Sequence, residues 1–342
     1  MPVPGNPWWC KNYRPGFVRL WQCGGAVMAR HVAVVGAGLI GRAWSISFAR
    51  GGRQVVLWDV VPGMAEQTRN QIPTLLEGLV EQDLLGGQSV EEVFQRIIAT
   101  DDLADALEGA IHVQENAPEK LDVKLELFAR LDALTPDDAV LASSSSAILP
   151  SLFTEQVKNR QRCLVAHPIN PPYLIPAVEV VPAPWTDADA VSRTCSLLED
   201  IGHQPMRMNK EIDGFIMNRL QMALLHEAFR LVDQGYASAE DIDRGIADGL
   251  GLRWAFMGPF ETIDLNAPGG IRDYVSRYRG MAELIGAQQT NMADWSGPVL
   301  DQLEGERRQV LGEDQLATRQ VWRDRNLMAL AAHKNAMAKK IR

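Results

Sequence analysis

From residue 31 onward, short apolar runs alternate with stretches whose apolar residues recur every three or four positions. The runs at 31–35, 54–59, 97–100, 111–115 and 139–143 predict buried strands. The stretches at 39–50, 62–85, 101–108 and 119–134 predict the helices between them. Pro73 is expected to kink or divide the helix over 62–85, and Gly86 with Gly87 to end it. Further strands are predicted at 163–167, 178–181 and 204–208, with a helix at 187–201. Alternation of this kind predicts an α/β fold, a Rossmann-type doubly wound, mainly parallel sheet with helices on both faces.

After Asp213 the strand signals stop. Helices are predicted at 214–234 and 238–250, the second capped by Ser238. Pro259, Pro268, Gly269 and Gly270 punctuate the next stretch, and the tail from Ala317 is helical with a basic end. The chain therefore divides into an α/β domain over 30–210 and an all-helical C-terminal domain over 211–342. The first 29 residues follow neither pattern: they hold Pro2, Pro4, Pro7 and Pro15 and three tryptophans. Arg19 interrupts their only apolar stretch, which makes a poor secretory signal. They are expected to be a disordered extension, or to precede a true start at Met28.

Composition narrows the function classes. A length of 342 residues fits two domains, and 46% hydrophobic with 23% charged residues is ordinary for a globular chain. A net charge of −9 argues against nucleic acid as a partner, and no apolar run is long enough to span a membrane. Cys10, Cys23, Cys163 and Cys195 form no close pair, so neither a metal site nor a disulfide framework is expected, and a reducing cytoplasm fits best.

Gly36-Ala37-Gly38-Leu39-Ile40-Gly41 lies between the first predicted strand and its helix, and Asp59 closes the second strand. Gly36 permits a tight turn, Gly38 lets a pyrophosphate approach the backbone, and Gly41 lets the helix pack close to the sheet. Free N–H groups at the helix start attract phosphate. Asp59 is placed to accept from ribose hydroxyls, and its charge repels a 2′-phosphate, so the expected cofactor is NAD. A glycine turn with no ligand is the alternative reading.

Ligands of such sheets bind at strand C-termini. Ser146 follows one predicted strand, His167 ends another, and Glu179 lies on the next. Neutral imidazole is the usual base near neutral pH, and a carboxylate on its far nitrogen fixes the tautomer. His167 with Glu179 fits that chemistry. Ser146 and Asn218 could stabilise charge on a reacting oxygen. On residue types alone, His167 is equally a structural histidine, the serine run a loop, and Asn218 a solvent-facing side chain.

The strings SSSSAILPS, VAHPINPPYLIPAVEVVP, EIDGFIMNRLQ and GPFETIDLN resemble the L-3-hydroxyacyl-CoA dehydrogenase superfamily, from about His31 to near the C-terminus. Within it, the detail is most similar to the L-gulonate 3-dehydrogenase branch, also called lambda-crystallin. The resemblance implies an NAD domain followed by a helical domain that forms a homodimer. It implies catalytic roles for Ser146, His167, Glu179 and Asn218, nicotinamide-side contacts at Glu119 and Lys124, and fingerprint contacts at Leu39, Ile40 and Asp59.

Substrate choice turns on charge. CoA carries several phosphates and calls for basic residues nearby, and the resemblance implies that they come from the helical segment after the second strand. Between Pro62 and Gln95 the chain has Arg69 against Glu66, Glu77, Glu81, Asp83, Glu91 and Glu92. That local excess of acid favours a small free hydroxy acid oxidised at its 3-hydroxyl, first L-gulonate to 3-dehydro-L-gulonate. A solvated helix face explains the acids equally well. The alternative is a 3-hydroxyacyl-CoA such as 3-hydroxybutyryl-CoA. A non-catalytic, crystallin-like structural role is a remote alternative, opposed by the intact polar set. Arg253 and Arg42 are the candidates for the substrate carboxylate.

Overall fold

The computed structural model describes residues 30–340. The expectations for 1–29, with Cys10, Cys23 and Met28, lie outside the described residues.

Strands and helices alternate as the pattern requires: β1 (His31–Val35), α1 (Leu39–Arg50), β2 (Val55–Trp58), α2 (Met64–Glu81), α3 (Val90–Phe94), β3 (Ile97–Thr100), α4 (Leu103–Leu107), β4 (Ala110–Glu115), α5 (Leu121–Leu134), β5 (Val140–Ser143), α6 (Pro150–Thr154), β6 (Cys163–Pro168), β7 (Ala177–Pro182), α7 (Ala188–Asp200) and β8 (Gln204–Arg207). The strands form a single eight-stranded sheet in the order β3-β2-β1-β4-β5-β6-β7-β8. Every pairing is parallel except β6 with β7. Strand order reverses between β1 and β4, the switch point at whose strand C-termini sheets of this kind bind ligands.

Both faces of the sheet are covered, so alternate residues of one strand enter different cores. Val32 and Val34 of β1 join Trp44, Phe48, Leu76 and Leu198 on one side. Ala33 and Val35 join Phe128, Leu131 and Phe153 on the other.

Two helix expectations are corrected. Pro73 neither divides nor ends α2, which runs unbroken from Met64 to Glu81. The buried face of α2, Ala65, Thr68, Ile72, Leu76 and Leu79, extends on both sides of Pro73, and this packing outweighs the lost N–H. The helix expected from Gly214 starts at Met217 instead, because Gly214 (φ 73°) and Phe215 (φ 50°) are left-handed.

The described residues form two compact units, 217–320 and 30–216 with 321–340. The second unit holds α8 (Met217–Asp233), α9 (Ala239–Arg244), α10 (Gly251–Trp254), α11 (Pro259–Leu265), α12 (Gly270–Gln288), α13 (Pro298–Val310) and the start of α14 (Leu316–Lys340). The Ser238 hydroxyl caps α9 by accepting from the Asp241 N–H. The helix expected over 238–250 passes into a π-helical turn at Gly245–Leu250. Residues 321–340 belong to the first unit, not to the helical one as expected, because Met328 is buried in the core beside α1 and α2. Among the described residues no helix is long and apolar enough to cross a membrane.

Candidate active site

The glycine turn is shaped by close contact. A Cβ on Gly41 would stand 1.8 Å from the Gly36 carbonyl oxygen, and one on Gly36, which has φ +96°, would stand 2.9 Å from the Asn116 carbonyl. Gly38 differs: a Cβ there would meet nothing within 4 Å. Gly38 also caps α1 without a side-chain hydrogen bond, so no N-cap side chain occupies the first N–H groups of α1. Leu39 points outward and Ile40 packs on the core. The turn is braced by Asp59, whose carboxylate accepts from the N–H of Ala37 at 2.7 Å and of Val61 at 2.9 Å. An open cradle, an uncapped helix start and an acid at the end of β2 fit a dinucleotide.

At the C-terminal end of β6, the Nδ1–H of His167 donates to Oε2 of Glu179 at 2.7 Å. The two residues face each other in the antiparallel register of β6 and β7. Both are buried. The second carboxylate oxygen, Oε1, accepts from the N–H of Ile216 at 2.6 Å. A carboxylate taken out of water needs such donors. Here they hold it in one orientation and fix the imidazole with its Nε2 away from Glu179.

The serine loop after β5 is gathered by Glu119. Its Oε1 accepts from the Ser145 hydroxyl at 2.6 Å and from the N–H groups of Ser146 (3.0 Å), Ala147 (3.0 Å) and Ile148 (3.2 Å). Ser146 itself is exposed. Partial burial works to raise the Glu119 carboxyl, but the Ser145 hydroxyl, the loop amides and the Lys124 charge outweigh it and hold it below the usual range.

Lys124 was expected to touch the nicotinamide side of the cofactor. It is 1% exposed, donates to Oε2 of Glu115 at 3.0 Å and to the Ser143 hydroxyl at 3.3 Å, and lies 3.5 Å from Oε2 of Glu119. In this arrangement its ammonium is enclosed by Glu115, Ser143 and Glu119.

A polar network that the sequence reading missed supports the loop. The Gln114 amide donates to the Ser144 hydroxyl at 2.7 Å and to the Ala166 carbonyl at 3.2 Å, next to His167. The Ser144 hydroxyl donates to Asn116 at 2.8 Å and accepts from the Trp44 indole at 3.0 Å. The available signal was the polar run Gln114-Glu115-Asn116 closing the strand that begins Ala110-Ile111.

Of the candidate arginines, Arg42 donates to Gln71 on α2 at 2.6 Å and is engaged on that side. Arg253 lies in α10, exposed, with no side-chain hydrogen bond or ion pair among the described residues. Asn218 lies in the first turn of α8. These last two belong to the second unit. Cys163 and Cys195 are buried free thiols, and burial pushes the Cys163 thiol up to about 12.

A glycine turn fitted to a dinucleotide, with an imidazole held by a carboxylate at the same C-terminal end of the parallel strands, is built to move a hydride and a proton together, the work of an NAD-dependent dehydrogenase. Residues 31–212 match the 3-hydroxyacyl-CoA dehydrogenase NAD binding domain and residues 214–295 match its C-terminal domain, so the chain belongs to the 3-hydroxyacyl-CoA dehydrogenase family. It is 42% identical over 315 residues to lambda-crystallin of Oryctolagus cuniculus, covering 90% of this chain and 98% of the relative. It is 35% identical to L-carnitine dehydrogenase of Pseudomonas putida, covering 87% of this chain and 92% of the relative. Among solved structures, 5-formyl-3-hydroxy-2-methylpyridine 4-carboxylic acid 5-dehydrogenase, an NAD⁺-dependent dismutase, aligns with a TM-score of 0.75 and 29% identity over 89% of this chain and 97% of that one. The chain is thus an NAD-dependent dehydrogenase of 3-hydroxyacyl or 3-hydroxy acid substrates.

Proposed function

We propose that this enzyme oxidises the 3-hydroxyl of a small free hydroxy acid, L-gulonate to 3-dehydro-L-gulonate being the first candidate. The observation that carries the chemistry is the 2.7 Å hydrogen bond from His167 to Glu179. It leaves Nε2 as the acceptor for the hydroxyl proton, and Glu179 stabilises the imidazolium that results. The Ser146 hydroxyl and the Asn218 carboxamide steady the charge that develops on the substrate oxygen. Bound NAD⁺ supplies the hydride acceptor. The amides of Leu39 and Ile40 would hold its pyrophosphate beside Gly38, Asp59 its adenosine ribose, and Glu119, set by Lys124, its nicotinamide side.

The preference for a free acid is supported by Glu66, Glu77, Glu81, Asp83, Glu91 and Glu92, all exposed on the surface of α2 and α3 and the segment between them. They repel the phosphates of a CoA carrier. Arg253 is the better candidate for the substrate carboxylate, since Arg42 is engaged by Gln71. A homodimer through the helical unit is supported by the large apolar side chains it exposes, among them Leu252, Phe256, Phe260, Leu265 and Leu284. A cytoplasmic setting agrees with two buried free thiols.

The test compares NADH formation from L-gulonate, L-carnitine and L-3-hydroxybutyryl-CoA at matched concentrations. The expected result is a kcat/KM for L-gulonate at least about tenfold above that for the thioester, a difference of roughly 1.4 kcal/mol in transition-state binding. A higher value for the thioester overturns the reading, and a higher value for L-carnitine moves it to another hydroxy acid.

A further inference from the structure

We propose that Phe215 is a positioning residue for the His167 base, acting through the turn that carries the chain from Ile212 to Ile216. The inference rests on the reading of His167 as the base.

Phe215 is fully buried yet has φ +50°, a region that bulky side chains avoid. It follows Gly214, also left-handed at φ +73°. Glycine would take such a conformation freely, so a phenylalanine persists there only because its surroundings fix it. Those surroundings are clear. The ring lies in the core with Phe128, Phe153, Val165 and Val181. Its centroid is 5.7 Å from that of the His167 ring, with 56° between the planes.

The next residue completes the grip. Once Phe215 turns left-handed, the N–H of Ile216 points at Oε1 of Glu179 and donates at 2.6 Å. The N–H of Phe215 closes the turn on the Ile212 carbonyl at 3.0 Å. One short segment therefore touches the catalytic pair twice. The ring packs against the imidazole and resists its rotation, and the amide occupies the carboxylate oxygen that His167 does not use. Without the ring, water enters beside the imidazole and its hydrogen bond to Glu179 gains a competitor. Without the left-handed turn, Glu179 loses a donor and gains freedom to rotate.

The test uses Phe215→Ala and Phe215→Leu in the full chain. The first readout is the low-field proton signal of His167 Nδ1–H, assigned by its loss in His167→Gln. The second is kcat with the best hydroxy acid, beside the Kd for NADH from fluorescence. In Phe215→Ala the signal should broaden or vanish in exchange with water. Its kcat should fall about 10- to 100-fold, a part of the roughly 100- to 10,000-fold that general-base catalysis contributes, with the NADH Kd changed less than roughly twofold. Phe215→Leu, which refills the volume, should restore the signal and recover kcat to within about fivefold of wild type. In a Glu179→Gln background, Phe215→Ala should lower kcat by less than roughly threefold, because the two act through one imidazole.

An unchanged His167 signal in folded Phe215→Ala overturns the proposal. So does a fall in kcat matched by an equal weakening of NADH binding, the mark of general loosening. Should Phe215→Ala fail to fold, Phe215→Gly, which removes the ring and takes φ +50° freely, replaces it: a broadened or lost His167 signal supports the proposal and a wild-type one overturns it. If wild type turns over no hydroxy acid, the functional reading fails while the proton signal still decides the role of Phe215.

Discussion

His167 and Glu179 stand directly opposite one another in the antiparallel pairing of β6 with β7, and the Nδ1–H of the first donates to Oε2 of the second at 2.7 Å. Cross-strand partners project on the same side of a sheet, so the 12-residue separation in sequence becomes a hydrogen bond in space. The strand pairing itself aims the imidazole.

Glu179→Gln keeps the shape of that carboxylate and removes its charge. It should lower kcat about 100-fold or more, because the amide neither stabilises imidazolium nor enforces one tautomer. His167→Ala should remove turnover. In both variants NADH binding, followed by fluorescence, should stay within about twofold of wild type, since the glycine turn is built from other elements. Near-normal kcat in His167→Ala would remove the histidine from its role as base.

Two glycines of the turn should separate folding from binding. A methyl at Gly41 collides with the Gly36 carbonyl at 1.8 Å, whereas a methyl at Gly38 meets no protein atom within 4 Å. Gly41→Ala should lower both thermal stability and NAD affinity. Gly38→Ala should leave the melting temperature within about 2 °C of wild type, while NAD affinity falls at least roughly tenfold as the methyl enters the phosphate position. Thermal scans and NADH titrations check both, and equal loss of stability in the two variants would contradict the contrast.

Asp59→Asn should raise the KM for NAD and relax discrimination against NADP. The charge that repels a 2′-phosphate is lost, while one oxygen remains to accept from the Ala37 N–H. The ratio of kcat/KM for NAD to that for NADP should fall at least about tenfold. An unchanged ratio would assign specificity elsewhere.

Stability should fall in mild acid through two buried histidines. Burial pushes His112 down to about 4, opposed by its hydrogen bond to Gln114, and pushes His203 down to about 3 with the help of the Arg50 charge. Unfolded, both titrate near 6.5, so the unfolded chain takes up protons first as pH drops. The stability associated with the neutral rings is complete above about pH 6.5 and is lost progressively down to the folded values. Between pH 7 and pH 5 the loss should be about 2 kcal/mol for each ring. Urea unfolding at the two pH values measures it, and His112→Gln should remove roughly half of that difference.

The glycine turn and Asp59 were legible because their spacing is local: a turn, a helix start and the end of the next strand. The β-strands were legible because a sheet covered on both faces demands continuous apolar runs. Pro73 does not divide α2: its cost is visible in sequence but the packing of Ile72 and Leu76 that offsets it is not. Gly214 and Phe215 read as the start of a helix because apolar spacing carries no record of φ. The cluster of Glu115, Lys124, Glu119 and the serine loop joins β4, α5 and the end of β5, so its charges find partners only after the sheet has formed. The tail was assigned to the wrong unit for a similar reason: the spacing around Met328 announces a helix and says nothing of its neighbour.

That tail has a consequence for how the molecule is born. Residues 321–340 complete the unit that holds the sheet, yet they leave the ribosome only after the whole of 217–320. The helical unit is in effect an insertion, and vectorial synthesis cannot finish the first unit before starting the second. Until the last segment emerges, the surface of α2 around Gly78, where Met328 will seat, is bare. That interval is when a chaperone has its clearest reason to bind the nascent chain.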